Sequence, residues 1–145
     1  MKQLCISSLA LLIICCASTG YRGEMKDGVA NGKGVWKYEN GDVYKGDFVN
    51  GKRQGHGKYI FKHGGVYEGE YINDKMNGKG RYTTSDGSIY EGQWVNNLKN
   101  GLFVFHRRYG EKSFLLYKDG KELSTHDIEQ AEIIKKYSPK NNELI

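Results

Sequence analysis

A period of 23 residues narrows what this chain can fold into more than any other feature. The triplet Tyr-x-Gly stands at Tyr21-Gly23, Tyr44-Gly46, Tyr67-Gly69 and Tyr90-Gly92. Three glycine series keep the same interval: Gly32, Gly55, Gly78 and Gly101; Gly34, Gly57 and Gly80; and Gly41, Gly64, Gly87 and Gly110. Several positions held in register over successive periods mark a chain of repeated supersecondary units. Such units bury their apolar faces only against their neighbours.

Within each period the alternation is that of a strand. In Tyr44-Lys-Gly-Asp-Phe48-Val49 the residues 44, 46 and 48 share one face, and 45, 47 and 49 the other. Gly55, Gly57, Tyr59 and Phe61 share a face on the return strand. Asn40-Gly41, His63-Gly64-Gly65 and Asp86-Gly87 supply turns between strands, and Asn50-Gly51 and Asn73-Asp74 are expected to open longer connections. Each unit therefore reads as a β-hairpin. The expected architecture is an all-β repeat: an elongated single-layer antiparallel sheet of stacked 23-residue hairpins.

Glycine inside a strand costs about 0.5–1 kcal/mol. An aromatic ring lying across a residue with no side chain covers the bare backbone and buries about 150–250 Å², which outweighs that cost. Trp36, Tyr38, Tyr44, Phe48, Tyr59, Phe61, Tyr67, Tyr71, Tyr82, Tyr90 and Trp94 are expected to form one continuous ladder on the glycine face.

The units decay toward the C-terminus. Gly101-Leu-Phe103 replaces Gly-x-Gly, Ser113 stands where tyrosine was, and Tyr117 keeps the aromatic place. The array is expected to fill residues 21–118, with 112–118 as a capping strand. Residues 119–145 are expected to hold a short C-terminal capping helix and a tail. Ser124 or Thr125 serves as N-cap, Ile128, Ala131, Ile134 and Tyr137 recur at helical spacing over 126–137, and Pro139 closes the run.

The Tyr-x-Gly-x-aromatic…Gly-x-Gly unit resembles the membrane occupation and recognition nexus (MORN) repeat family, over residues 21 to about 118. The resemblance implies an interaction and membrane-associated module carried by proteins with unrelated activities. In larger relatives the array is fused to a lipid kinase or methyltransferase domain, for which 145 residues leave no room.

Residues 1–20 read as a separate leader. Met1-Lys2 precedes the apolar run Leu4–Ala17, which is followed by the small residues Ser18, Thr19 and Gly20. Cys5, Cys15 and Cys16 are the three cysteines, and all lie in this leader. Cys15 or Cys16 after Leu12-Ile13-Ile14 resembles a bacterial lipoprotein signal, although Ile14 is larger than the residue that signal favours. Three outcomes stay open: a lipid on Cys15 or Cys16, ordinary cleavage near residues 17–20, and an uncleaved anchor. Each places the repeats outside the cytoplasm, periplasmic or envelope-anchored in a bacterium and otherwise secreted.

Nothing in the sequence assembles a catalytic set, a cofactor site or a metal site. His56, His63, His106 and His126 are scattered, and the Gly-x-Gly pairs lack the strand-to-helix context of a phosphate loop. On the face opposite the rings, bases (Lys33, Lys37, His56, Lys58, Lys79, Arg81) alternate by strand with acids (Asp47, Glu68, Glu70, Glu91). Such a striped face is self-neutralised by cross-strand pairing and does not suit nucleic acid. The formal charge is +5, and the unmatched cations Lys26, Lys52, Arg53, Lys75 and Lys99 are expected along one loop edge, facing anionic lipid.

Two contact surfaces follow. The leading one is the ring face, with Tyr44, Phe48, Tyr59, Tyr67, Tyr71, Tyr82, Tyr90 and Trp94 taking a protein partner or a second copy of the chain. Its alternative is that these rings are fully occupied in covering the glycines and the C-terminal helix. The other surface is the basic edge on an anionic membrane. The N-terminal strand Tyr21–Lys26 is expected to leave an edge open to end-to-end pairing.

Overall fold

The local chemistry of the turns sets the architecture. Asp27-Gly28, Asn50-Gly51, Asn73-Asp74, Asn96-Asn97 and Asp119-Gly120 all lie at positive φ, from 48° at Asn73 to 80° at Gly120. Two such residues in succession close an antiparallel hairpin with the strand twist intact. The computed structural model describes residues 20–123. Its strands are β1 (Gly20–Lys26), β2 (Val29–Lys37), β3 (Val43–Val49), β4 (Lys52–Ile60) and β5 (Val66–Ile72). They continue as β6 (Lys75–Thr83), β7 (Ile89–Val95), β8 (Leu98–His106), β9 (Lys112–Lys118) and β10 (Lys121–Glu122). All ten lie side by side in chain order in one antiparallel sheet.

The turns sort differently from the expectation. Asn50-Gly51 and Asn73-Asp74 do not open longer connections; they are complete two-residue turns, and the next strand starts at once at Lys52 and Lys75. The longer connections are five-residue loops such as 38–42, closed by Tyr38 N–H to Asp42 O at 2.9 Å and Gly41 N–H to Tyr38 O at 3.0 Å. Lys52, Arg53 and Gln54, which precede the return strand expected from Gly55, are already part of it. Gln54, Gly55 and His56 together stand opposite the single Asp47, and Asn77, Gly78 and Lys79 opposite Glu70. These are bulges, and the positive φ of Gly55 (67°) and Gly78 (112°) is what the series Gly32, Gly55, Gly78 and Gly101 provides.

A bulge strands backbone N–H groups that need partners. The carboxylates opposite supply them: His56 N–H donates to Asp47 Oδ2 at 3.2 Å, Lys79 N–H to Glu70 Oε1 at 3.0 Å, and Lys33 N–H to Glu24 Oε1 at 3.2 Å. Units are also stitched at the tight turns. Asp74 N–H donates to Arg53 O at 3.0 Å, and Asn97 N–H to Met76 O at 2.9 Å.

The Tyr-x-Gly and Gly-x-Gly glycines meet across the sheet. Gly23, Gly34, Gly46, Gly57, Gly69, Gly80 and Gly92 are successive cross-strand partners from β1 to β7, and Phe103 of β8 ends the row. This row is a trough with no side chains, and rings lie in it. A methyl group at Gly57 would collide with the Tyr44 ring, and one at Gly80 with Tyr67. The tyrosine hydroxyls close their own strands, with Tyr44 OH donating to Asp47 O and Tyr67 OH to Glu70 O, both at 3.2 Å.

The C-terminal end follows the expected strand over Lys112–Lys118 but does not stop there. Asp119-Gly120 turns the chain once more, and Lys121 and Glu122 pair back on Lys118 and Tyr117. The sheet therefore runs past residue 118. The leader up to residue 19 and the helix expected over 126–137 lie outside the described residues.

Candidate functional site

The ring face divides into two rows with different fates. The first zigzags along the glycine trough as Tyr21, Phe48, Tyr44, Tyr71, Tyr67, Trp94, Phe103 and Tyr117. Every neighbour in it meets edge to face, with centroids 5.1–5.7 Å apart and planes 76–89° apart. Such contacts contribute about 0.5–1.5 kcal/mol each beyond the area they bury. Tyr44, Tyr67 and Phe103 are completely buried, and Phe48, Tyr71, Trp94 and Tyr117 nearly so. Burial pushes the hydroxyls of Tyr44, Tyr67 and Tyr71 well above the usual phenol range.

The second row lies toward the five-residue loops and stays half-open. It comprises Trp36, Tyr38, Tyr59, Phe61, Tyr82, Tyr90 and Phe105. Its contacts are of mixed geometry: tilted in Tyr38–Tyr59 at 5.7 Å and Tyr59–Phe61 at 4.7 Å, stacked in Trp36–Tyr38 and edge to face in Phe61–Tyr82. Tyr59 OH donates to Asp42 Oδ2 at 2.8 Å. Burial alone would raise the Asp42 carboxyl, but donation from Lys62 N–H, Tyr59 OH and Asn40 holds it below the ordinary carboxylate range. At its N-terminal end the row borders an open hollow of about 500 Å³ lined by Gly20, Trp36, Lys37, Tyr38, Glu39 and Asn40.

Of the eight rings singled out by sequence, then, Tyr44, Phe48, Tyr67, Tyr71 and Trp94 are in the buried first row. Tyr59, Tyr82 and Tyr90 are in the open second row. Trp36, Tyr38, Phe61 and Phe105 belong with those three.

The five cations also separate. Lys26, Lys52 and Lys75 lie where expected in space, along the edge of tight turns, though in strand ends and not in loops. Arg53 and Lys99 turn inward instead. The Arg53 guanidinium stands 5.7, 5.3 and 5.3 Å from the centres of Tyr44, Tyr59 and Tyr71. Its Nε lies 3.3 Å from Asp74 Oδ1. Lys99 Nζ sits 3.4 Å over Tyr90 and 4.6 Å from the Tyr117 ring, and burial pushes its ammonium below the usual lysine range. The register explains this: Arg53 pairs with Phe48 and Lys99 with Trp94, so both point to the ring face. A sequence signal was available. Ala30, Arg53, Met76 and Lys99 share one place in the period, and two of the four are apolar.

Apolar residues share the tight-turn edge with the lysines. The hairpin-closing pairs Lys26–Val29, Val49–Lys52, Ile72–Lys75 and Val95–Leu98 leave Val29, Val49, Ile72 and Leu98 each 44–47% exposed. On the face behind the rings, ion pairs cross the strands as the charge stripes imply. They are Lys33–Asp47 at 2.8 Å, Lys58–Glu68 at 2.9 Å and Arg81–Glu91 at 3.3 Å. Among the described residues no three His, Cys, Asp or Glu side chains are grouped to hold a metal ion. Cys15 and Cys16 lie outside the described part.

The hairpin, its bulge glycine and the ring over the trough recur at the interval of one family's repeat. The MORN repeat family model matches residues 21–43, 44–66, 67–89 and 90–102. The chain belongs to the MORN repeat family. MORN arrays are in general non-catalytic modules for contact with proteins or membrane lipid. Comparison with curated proteins gives no match. The fourth matched stretch ends at Leu102, one residue before Phe103 takes the place of the last trough glycine.

Proposed function

We propose that this MORN array is a non-catalytic contact module carried outside the cytoplasm, which takes a protein segment or a second copy of itself on the open second row of rings. The observation that carries this reading is the division of labour between the rows. The first row is consumed in covering glycines, whereas Trp36, Tyr38, Tyr59, Phe61, Tyr82 and Tyr90 remain half-exposed along one flank. Large rings with one open face supply contact area at low entropic cost. The leader over residues 1–20 supports export, with Cys15 or Cys16 as the lipidation candidates.

A second reading has its own observation. Lys26, Lys52 and Lys75 alternate with exposed Val29, Val49, Ile72 and Leu98 on the tight-turn edge, which suits an anionic membrane surface.

One experiment addresses both. In the native host, a photo-crosslinking residue is placed in separate variants at Phe61, at Tyr82, at Val49 and Ile72 on the tight-turn edge and, on the opposite face, at Lys58. Crosslinks to one protein, or to a second copy, from the first two positions and not from Lys58 are the expected result. Crosslinks to lipid from Val49 or Ile72, with none to protein from Phe61 or Tyr82, would replace the first reading with the second.

A further inference from the structure

On the face behind the rings, the two cross-strand pairs beside the glycine pair each hold at least one charged residue where β2 meets β3, β4 meets β5 and β6 meets β7, as in Val35–Lys45 and Lys79–Gln93. The corresponding pairs of β8 and β9 hold none. The cross-strand places that hold Lys33 and Asp47 in the first units hold Leu102 and Leu116 at the end. The places of Lys58 and Glu68, and of Arg81 and Glu91, hold Val104 and Phe114. Ion pairs have thus been exchanged for apolar pairs at matching points of the period. Phe114 is left 55% exposed, with Leu102, Val104 and Leu116 half-buried around it. Leu98 and Val95, 46% and 38% exposed, extend the same patch to the tight turn.

We propose that the chain's own C-terminal segment, residues 126–137, seats on this patch as an amphipathic helix, on the face behind the rings and not on the ring face. The last described residue is pinned beside the patch: Leu123 N–H donates to Leu116 O at 2.8 Å. Ile128, Ala131, Ile134 and Tyr137 make one apolar stripe at helical spacing. A helix of this length spans about 18 Å, which fits within the roughly 23 Å of a seven-residue strand. Charge agrees as well. Lys112, Lys118 and Lys121 border the patch, and Asp127, Glu129 and Glu132 flank the stripe. The seat serves as an end cap, since a terminal repeat has no following unit to protect it.

Hydrogen exchange of the full chain tests this. The expected result is slowed exchange across 126–137, which returns to unfolded rates in Leu116→Asp and in Ile134→Asp while β5 and β6 keep their protection. Phe105→Ser, on the ring face, leaves the slowed exchange in place. If Leu116→Asp also unprotects β5 and β6, Phe114→Asp at the more exposed position replaces it. Unfolded-rate exchange in the unaltered chain overturns the proposal. So does slowed exchange that survives both patch variants, or loss only in Phe105→Ser. A chain that is dimeric through Phe114 would show that a second copy, not residues 126–137, covers the patch, and would overturn it too.

Discussion

Tyr67 and Tyr90 open the same motif, Tyr-Glu-Gly, yet the structure uses them in opposite ways. Tyr67 lies in the trough, where the glycine pair Gly69 and Gly80 leaves room for its ring, and it is completely buried. At Tyr90 the corresponding pair is Gly92 and Phe103. The Phe103 ring takes the trough itself and would collide with a methyl group at Gly92. Tyr90 is displaced into the open row, 4.6 Å from Phe105, with Lys99 over its face. A residue repeated at the period thus changes role where its cross-strand neighbour carries a side chain. What a repeat position does is decided by the pair, not by the residue.

The sharpest way to break that contrast is truncation. Tyr67→Ala empties the trough, removes two edge-to-face contacts and frees Glu70 O, so a loss of about 3–5 kcal/mol is expected. Tyr90→Ala removes a half-exposed ring and should cost about 1–2 kcal/mol. Chemical denaturation of the full chain checks both, and equal losses would mean that Phe103 does not replace the tyrosine. Phe103→Ala should then resemble Tyr67→Ala, not Tyr90→Ala.

Much of this was legible in the sequence because the 23-residue period and strand alternation report directly on which residues share a face. The single sheet, the hairpins and the glycine-covering rings follow from those two regularities. The division of the rings into two rows does not, because it depends on how far along each strand the trough runs. The bulges were the main obstacle. A strand that starts at Lys52 and bulges at Gln54, Gly55 and His56 cannot be told by composition from a connection followed by a strand at Gly55, so Lys52 and Arg53 read as connection. Once β4 starts at Lys52, Arg53 has the same parity as Gly57 and Tyr59 and turns to the rings. The bulge carboxylates were likewise visible as acids, but only the geometry shows Asp47 and Glu70 accepting stranded N–H groups.

Arg53 and Lys99 sharpen the comparison at one shared position of the period. Arg53 has a counterion in Asp74, whereas Lys99 is held by rings and by Tyr117 OH at 3.5 Å. Arg53→Met should therefore cost about 1–3 kcal/mol, since it removes the stacked guanidinium and its bonds to Asp74, which keeps only the backbone N–H of residue 53. Lys99→Met should leave stability unchanged or raise it by up to about 1 kcal/mol, because it relieves a partly buried ammonium. The pH dependence follows in sign. The folded chain holds the Lys99 proton less firmly than the unfolded chain, which titrates near 10.4. As pH climbs from the folded value toward 10.4, the unfolded state binds more protons and the lysine form gains stability. The advantage of Lys99→Met is therefore widest at neutral pH and narrows in alkali. An advantage that widens would place the ammonium in solvent.

The smallest effect is expected on the face behind the rings. Lys58 and Glu68 are both about half-exposed, and a pair in that setting contributes about 0–1 kcal/mol and weakens with salt. Lys58→Ala should shift the denaturation midpoint barely at all, and the shift should shrink further at high ionic strength. That weakness accounts for the exchange of the corresponding pair for Val104 and Phe114 in the last unit: little stability is lost when the charges go. What the exchange adds is a need for cover, because an exposed Phe114 gains nothing from water. If Lys58→Ala instead cost several kcal/mol, the charged stripe would be structural. The apolar end unit would then have to recover that loss through whatever is seated on it.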